Sequence, residues 1–119
     1  MIPGSTVAEG RQGEEMARRF LEGLGFTILE TNYRFRHGEI DIIARDGEDL
    51  VFCEVKARSN DEYGGPEEAV TPRKQVQLRK VARGYLHERG ISGQACRFDV
   101  VAIRLTGAEP EINHLKNAF

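Results

Sequence analysis

The chain has no tryptophan, only two cysteines and four prolines in 119 residues. It also has no apolar run near the roughly 20 residues that a bilayer-crossing helix needs. A helical membrane anchor is therefore not expected. The opening "MIPGSTVAEG" lacks both a basic n-region and an apolar h-region, so no export signal is read there. Gly4 is not at the second position that myristoylation requires. Cys53 and Cys96 stand far apart with no C-x-x-C context, which argues against a disulfide or a zinc site. Both are expected to be small buried hydrophobes in a protein of the reducing cytoplasm. Neither sign of charge dominates: 17 basic and 19 acidic residues leave a net −2, not the balance of a general polyanion binder. What is present is 39% apolar and 30% charged residues, the composition of an ordinary folded domain. The length suits one domain, residues 1–119, with a core that needs no covalent staple.

The charge is unevenly spread. Between Arg73 and Gly90, six basic residues (Arg73, Lys74, Arg79, Lys80, Arg83, Arg89) meet one acid, Glu88. Six less one makes that segment +5 in an acidic protein, an asymmetry that needs a reason. Arg79, Lys80 and Arg83 read either as a solvated helix face or as contacts to a phosphate backbone.

Periodicity predicts a helix from about Val7 to Leu24, with Ala17, Phe20, Leu21 and Leu24 on one face and Gly25 as the stop. At about 100° per residue, Glu15 points away from that face into solvent, while Glu14 falls on its flank, at the edge of the core. Phe26–Thr31 reads as a strand and "GEIDIIAR" as a second, alternating one. "DGED" has turn chemistry. "LVFCEVK" is apolar on both faces until Glu54, as in a strand covered from both sides. A polar, glycine-rich connection, Ser59–Ala69, leads to Thr71-Pro72, a capping hydroxyl and first-turn proline. In the helix that follows, Leu78, Val81, Ala82, Tyr85 and Leu86 share a face, and Gly90 ends it. "CRFDVVAIRL" is a fourth strand, and "PEINHLKNAF" has room for a short final element. The order α-β-β-β-α-β predicts the α/β (α+β) class, with helices packed on a mixed central sheet.

Four charged residues stand where Val, Ile or Phe would be expected: Glu39, Asp41, Glu54 and Lys56. If Asp46–Asp49 form a four-residue loop, Arg45 pairs with Leu50, Asp41 falls opposite Glu54, and Glu39 faces Lys56. If the loop is Asp46-Gly47 alone, Glu39 faces Glu54 and Asp41 is its diagonal neighbour. In either register the acids share one face, within roughly 4.5–8 Å. Opposed like charges are destabilising, and burying them unpaired costs several kcal/mol per ion. A hard divalent cation, Mg²⁺ or Mn²⁺, would offset both. Such an ion with a lysine beside it supplies the parts of phosphodiester hydrolysis. Glu-x-Lys alone is a weak signal, expected about 0.4 times by chance in a chain of this length. The competing account is a salt-bridged, solvated sheet face.

"GEID", twelve further residues, then "EVK" within "FCEVKARS" resembles the core of the PD-(D/E)XK nucleases, a restriction-endonuclease-like fold. More closely, the chain resembles the YraN-like family of small, functionally uncharacterised bacterial proteins. The resemblance runs through Gly10, Gly13, Glu14 and Ala17, then Gly38–Asp41 and Glu54–Arg58. It continues through Gly64, Pro66, Ala69 and Val70, Lys74, Arg97–Val101 and the closing "NAF". The wider likeness is to archaeal Holliday-junction resolvases. It implies a Mg²⁺ (or Mn²⁺) site of Glu14, Asp41, Glu54 and the Val55 carbonyl, with Lys56 assisting the nucleophile.

Glu39 is then an outer acid or extra ligand, or the partner of Lys56 or Arg58. Arg34, Arg36, Arg58 and Lys74 are the candidate substrate-binding cations, with His37 beside the first two. Tyr63 is a candidate for stacking on an unpaired base. Asp99 is expected to satisfy local hydrogen bonds rather than a metal. The reading that follows is a metal-dependent endonuclease-like protein acting on DNA, branched or processed. The alternative is a non-catalytic nucleic-acid-binding module that keeps the fold, since a fold alone does not fix an activity. A third is a protein-interaction domain. A homodimer is expected by analogy with resolvases.

Overall fold

The computed structural model describes residues 3–59, 70–105 and 109–119, with side chains from residue 10 onward. Its elements are α1 (Pro3–Gly23), β1 (Thr27–Phe35), β2 (Gly38–Asp46), β3 (Asp49–Arg58), α2 (Pro72–Glu88), β4 (Cys96–Arg104) and β5 (Glu111–Leu115). They form one five-stranded sheet in sequence order. β3 and β4 run parallel and every other neighbouring pair is antiparallel. A parallel pair needs a long crossover, and α2 lies within it. This is the mixed sheet expected, with one strand more: "EINHL" adds β5 at an edge.

The two helices cover opposite faces. Ala17 and Leu21 of α1 pack with Ile42, Ala44, Val51 and Cys53. Leu78, Val81 and Tyr85 of α2 pack with Ile43, Leu50 and Phe52. β3 therefore meets a helix on each side, which is why "LVFC" carries no polar face. Thr71 Oγ1 accepts from the Lys74 amide at 3.2 Å, with Pro72 in the first turn. Gly90, at φ +64°, leads the chain away from α2 in the left-handed conformation that glycine adopts freely.

Several boundaries differ from expectation. β1 continues past Thr31 to Phe35 because Tyr33 is buried under α2, its ring edge-on to Tyr85 at 5.1 Å. Leu24 is 52% exposed, because α1 has already ended at Gly23 and the wheel no longer sets its direction. Cys53 is buried, but Cys96, at the start of β4, is exposed. Both are free thiols. Tyr63, Gly64, Pro66 and Ala69 lie outside the described residues. Among the described residues no helix is long and apolar enough to cross a membrane.

In the first half of β4, opposite Cys53, Asp99 is completely buried. It accepts from Arg97 Nε (3.0 Å) and from the Asn117 amide (3.0 Å), and His114 Nε2 lies 2.8 Å from its other oxygen. Burial alone would raise its pKa; the donors from His114, Arg97 and Asn117 outweigh that and hold it below the usual carboxylate range. Arg97 extends the network to Asp46 (2.8 Å) and Asp49 (3.1 Å) in the β2–β3 hairpin. Asp99 thus makes the local hydrogen bonds expected of it, and His114, which carried no readable pattern, is one of its partners.

Candidate metal centre

The β2–β3 hairpin sets the geometry. Its tip is Gly47-Glu48, with Asp46 opposite Asp49, Arg45 opposite Leu50, and pairing running on to Ile42 opposite Cys53. This is the first of the two registers considered, but its ladder stops one pair short of Asp41. There the side chain takes over: Asp41 Oδ2 accepts from the Val55 amide at 2.8 Å. The strand's alternation slips at the same place. Ile40 packs in the α2-side core and Ile42 in the α1-side core, although two residues apart they should share a face. On β1, Asn32 takes φ +52°, a left-handed conformation that asparagine tolerates better than most residues.

The slip corrects the expectation that all the acids share one face. Glu39 turns towards α1, where it joins Glu14. Glu54 turns towards α2, where Lys74 Nζ lies 3.6 Å from Oε2. Asp41 stands between them, where the β2–β3 ladder ends. Carboxylate oxygens of Glu14, Glu39 and Asp41 all lie within 4.8 Å of one another. Asn32 Nδ2 donates to Glu14 at 2.8 Å and to Glu39 at 3.3 Å, tying the first two together. Arg34 Nε sits 3.0 Å from Glu39.

Glu14 reaches this position because of its neighbour. A Cβ added at Gly13 would sit 2.4 Å from the Ala57 Cβ, so only glycine lets α1 lie this close to β3. Gly13→Ala gains about 1 kcal/mol of helix propensity but meets an overpacking cost of about 1–3 kcal/mol. We expect a net loss of stability and of Mn²⁺ binding, measured by urea denaturation and by titration calorimetry. Adding Ala57→Gly should restore both; a double variant no better than Gly13→Ala would show that this contact does not seat α1.

The electrostatics follow from crowding. Burial pushes the Asp41 carboxyl up to about 8, reinforced by Glu54 beside it. Glu14 is raised as well, by burial first, then by Asp41 and Glu39 against the hydrogen bond from Asn32. Lys56, half-buried, is lowered by burial, with Arg58 adding to the effect. Glu54 is 8% exposed. An all-oxygen donor set in which Asp41 and Glu14 resist ionisation is the chemistry a hard divalent cation fits.

The structure brings Glu14 and Asp41 together and adds Glu39 to their ring; its partner is Arg34, not Lys56 or Arg58. Glu54 couples to Asp41 from the other side and stands outside that ring. Val55 meets Asp41 through its amide. Lys74 reaches the site through Glu54. Arg36 lies in the β1–β2 turn, its guanidinium 5.3 Å from the Phe35 ring centre. Arg58 donates to the Ala57 carbonyl at 2.8 Å. Asn32 was missed, because the strand was expected to stop at Thr31 and β1 in fact runs on to Phe35.

Residues 13–103 match the family described as uncharacterised protein family UPF0102. The chain belongs to UPF0102. Its relatives include the UPF0102 protein of Geotalea daltonii, 53% identical over 111 residues and covering 92% of this chain and 87% of that one. Another, from Syntrophus aciditrophicus, is 49% identical with the same coverage. A third, from Chlorobium chlorochromatii, is 46% identical over 98% of this chain and 95% of its own. The part of the chain matched by UPF0102 begins at Gly13 and so takes in the whole carboxylate ring, Asn32, Glu54, Lys56 and Lys74. This agrees with the resemblance to the YraN-like proteins drawn from the sequence.

Proposed function

We propose that this UPF0102 protein is a divalent-metal-dependent endonuclease acting on DNA, branched or processed, in the cytoplasm. The observation that carries the reading is the meeting of Glu14, Glu39 and Asp41 where the β2–β3 ladder ends, beside Glu54-x-Lys56. Glu14, Glu39 and Asp41 would hold the ion, with Glu54 and the Val55 carbonyl available from the opposite side. Bound there, Mg²⁺ or Mn²⁺ supplies a hydroxide at neutral pH and stabilises charge on a phosphoryl oxygen. Lys56, half-buried beside Glu54, is placed to orient the attacking water and offset charge on the phosphorus. Asn32 fixes the two glutamates in register, so that little reorganisation is left for the reaction. Lys74 holds Glu54 until a phosphate competes for the cation.

The test is cleavage of duplex, flapped and four-way DNA with Mg²⁺ or Mn²⁺. The wild type should cut at least one of them, while Asp41→Asn and Lys56→Ala should not. Contaminant-free protein that cuts none of them, yet binds DNA in a salt-sensitive way, would instead establish a non-catalytic binding module. A homodimer belongs to the same reading, and light scattering decides it.

A further inference from the structure

The outward face of α2 carries Arg73, Val76, Lys80, Arg83 and His87, all exposed. Their spacing of three and four residues aligns them in one stripe. At about 1.5 Å per residue the stripe runs for roughly 21 Å. Among the described residues no carboxylate lies within ion-pair distance of Arg73, Lys80 or Arg83. Elsewhere the pattern differs: Arg18, Arg19, Arg34, Arg89 and Arg97 are each tied to a carboxylate. A protein of net charge −2 thus neutralises many of its arginines and leaves this ridge uncompensated.

The ridge also leads somewhere. Lys74, in the same first turn as Arg73, contacts Glu54. Gln77, between Arg73 and Lys80, donates to the His37 carbonyl at 3.2 Å. Its side chain and Val81 also flank Gly38. The turn carrying Arg36 and His37 is thereby held against the middle of α2. Lys74 thus carries α2 to the Glu54 side of the carboxylate centre, and the turn with Arg36 and His37 packs further along the same helix.

We propose that the Arg73–Lys80–Arg83 ridge is the track on which the sugar-phosphate backbone of a nucleic-acid duplex lies as it approaches the centre. This rests on the reading above only in taking the polymer to be nucleic acid; binding here needs neither metal nor cleavage. A duplex presents about one charge per 1.7 Å of its axis, so a straight cationic ridge of this length meets several phosphates at once. Val76 is the one large apolar side chain in the stripe, too little to bury in a lipid interface. The chemistry is that of a phosphate backbone in water.

The test is fluorescence anisotropy with a labelled duplex in EDTA, across about 50–200 mM salt. Arg73→Gln/Lys80→Gln/Arg83→Gln should lower the slope of log K against log salt by about 2–3, three contacts at ~0.9 each. Affinity at the lowest salt should fall at least tenfold. The charge-matched Arg19→Gln/Arg104→Gln/Lys116→Gln should bind like the wild type. An unchanged slope in the ridge variant, or an equal loss in the control, overturns the proposal. So does ridge-dependent attachment to vesicles of equal phosphatidylcholine and phosphatidylserine without duplex binding. Because no metal is present, ridge-dependent binding by a protein that never cleaves upholds this track while refuting the endonuclease.

Discussion

In metal-free buffer at pH 8.5, Asp41→Asn should be more stable than the wild type, by on the order of 2–5 kcal/mol. The carboxyl is pushed from an ordinary 3.8 up to about 8, first by burial and then by Glu54. A folded-state pKa above the unfolded one means that the native protein holds its proton more tightly. That stabilising contribution is complete below about pH 4 and drains away as pH rises towards 8. The amide carries no such dependence and can still accept from the Val55 amide. The gap between variant and wild type should therefore be wide at pH 8.5 and small at pH 4.5, by chemical denaturation in EDTA. Manganese should narrow the gap: at 100 times its dissociation constant a ligand stabilises by about 2.7 kcal/mol, available only to the wild type. A variant less stable than wild type at pH 8.5 in EDTA would mean that Asp41 is not under electrostatic load.

Asp99 is the opposite case. Asp99→Ala should cost about 3–5 kcal/mol, the usual result of removing one partner of a buried ion pair. It would strand Arg97, which also holds Asp46 and Asp49, and leave the Asn117 amide and His114 without an acceptor. Since hydrogen bonds hold this carboxyl low, its contribution is present above about pH 4 and lost as pH falls through its folded value. Urea denaturation at pH 7 measures the cost, and Mn²⁺ titration of the surviving folded protein should be nearly normal. A loss of metal binding equal to that of Asp41→Asn would place Asp99 in the centre instead.

Much of this was readable in the amino-acid order. The apolar run of β3, the Thr71-Pro72 start of α2 and the flank position of Glu14 each follow from local rules, and each is where those rules place it. The arrangement around Asp41 was not readable. Alternation assumes an unbroken strand, and nothing in "GEIDIIAR" announces that Ile40 and Ile42 will face opposite cores. That outcome depends on β1, where Asn32 turns left-handed, and on Val55 offering its amide to a side chain instead of a strand. Both are contacts between segments, invisible to a rule that reads one segment at a time. The same limit left β5 as no more than room for a short final element, because that strand exists by pairing with β4. Nor does one segment show that β1 extends far enough to set Arg34 beside Glu39.

A continuous sheet is a wall: side chains above it and below it seldom influence each other. Beyond Ile42 and Cys53 the pairing of β2 with β3 ends, and the parting strands open that wall beside Asp41. Glu14, anchored on α1, and Lys74, on α2, reach the same Asp41–Glu54 pair there, through the thickness of the protein rather than around its rim.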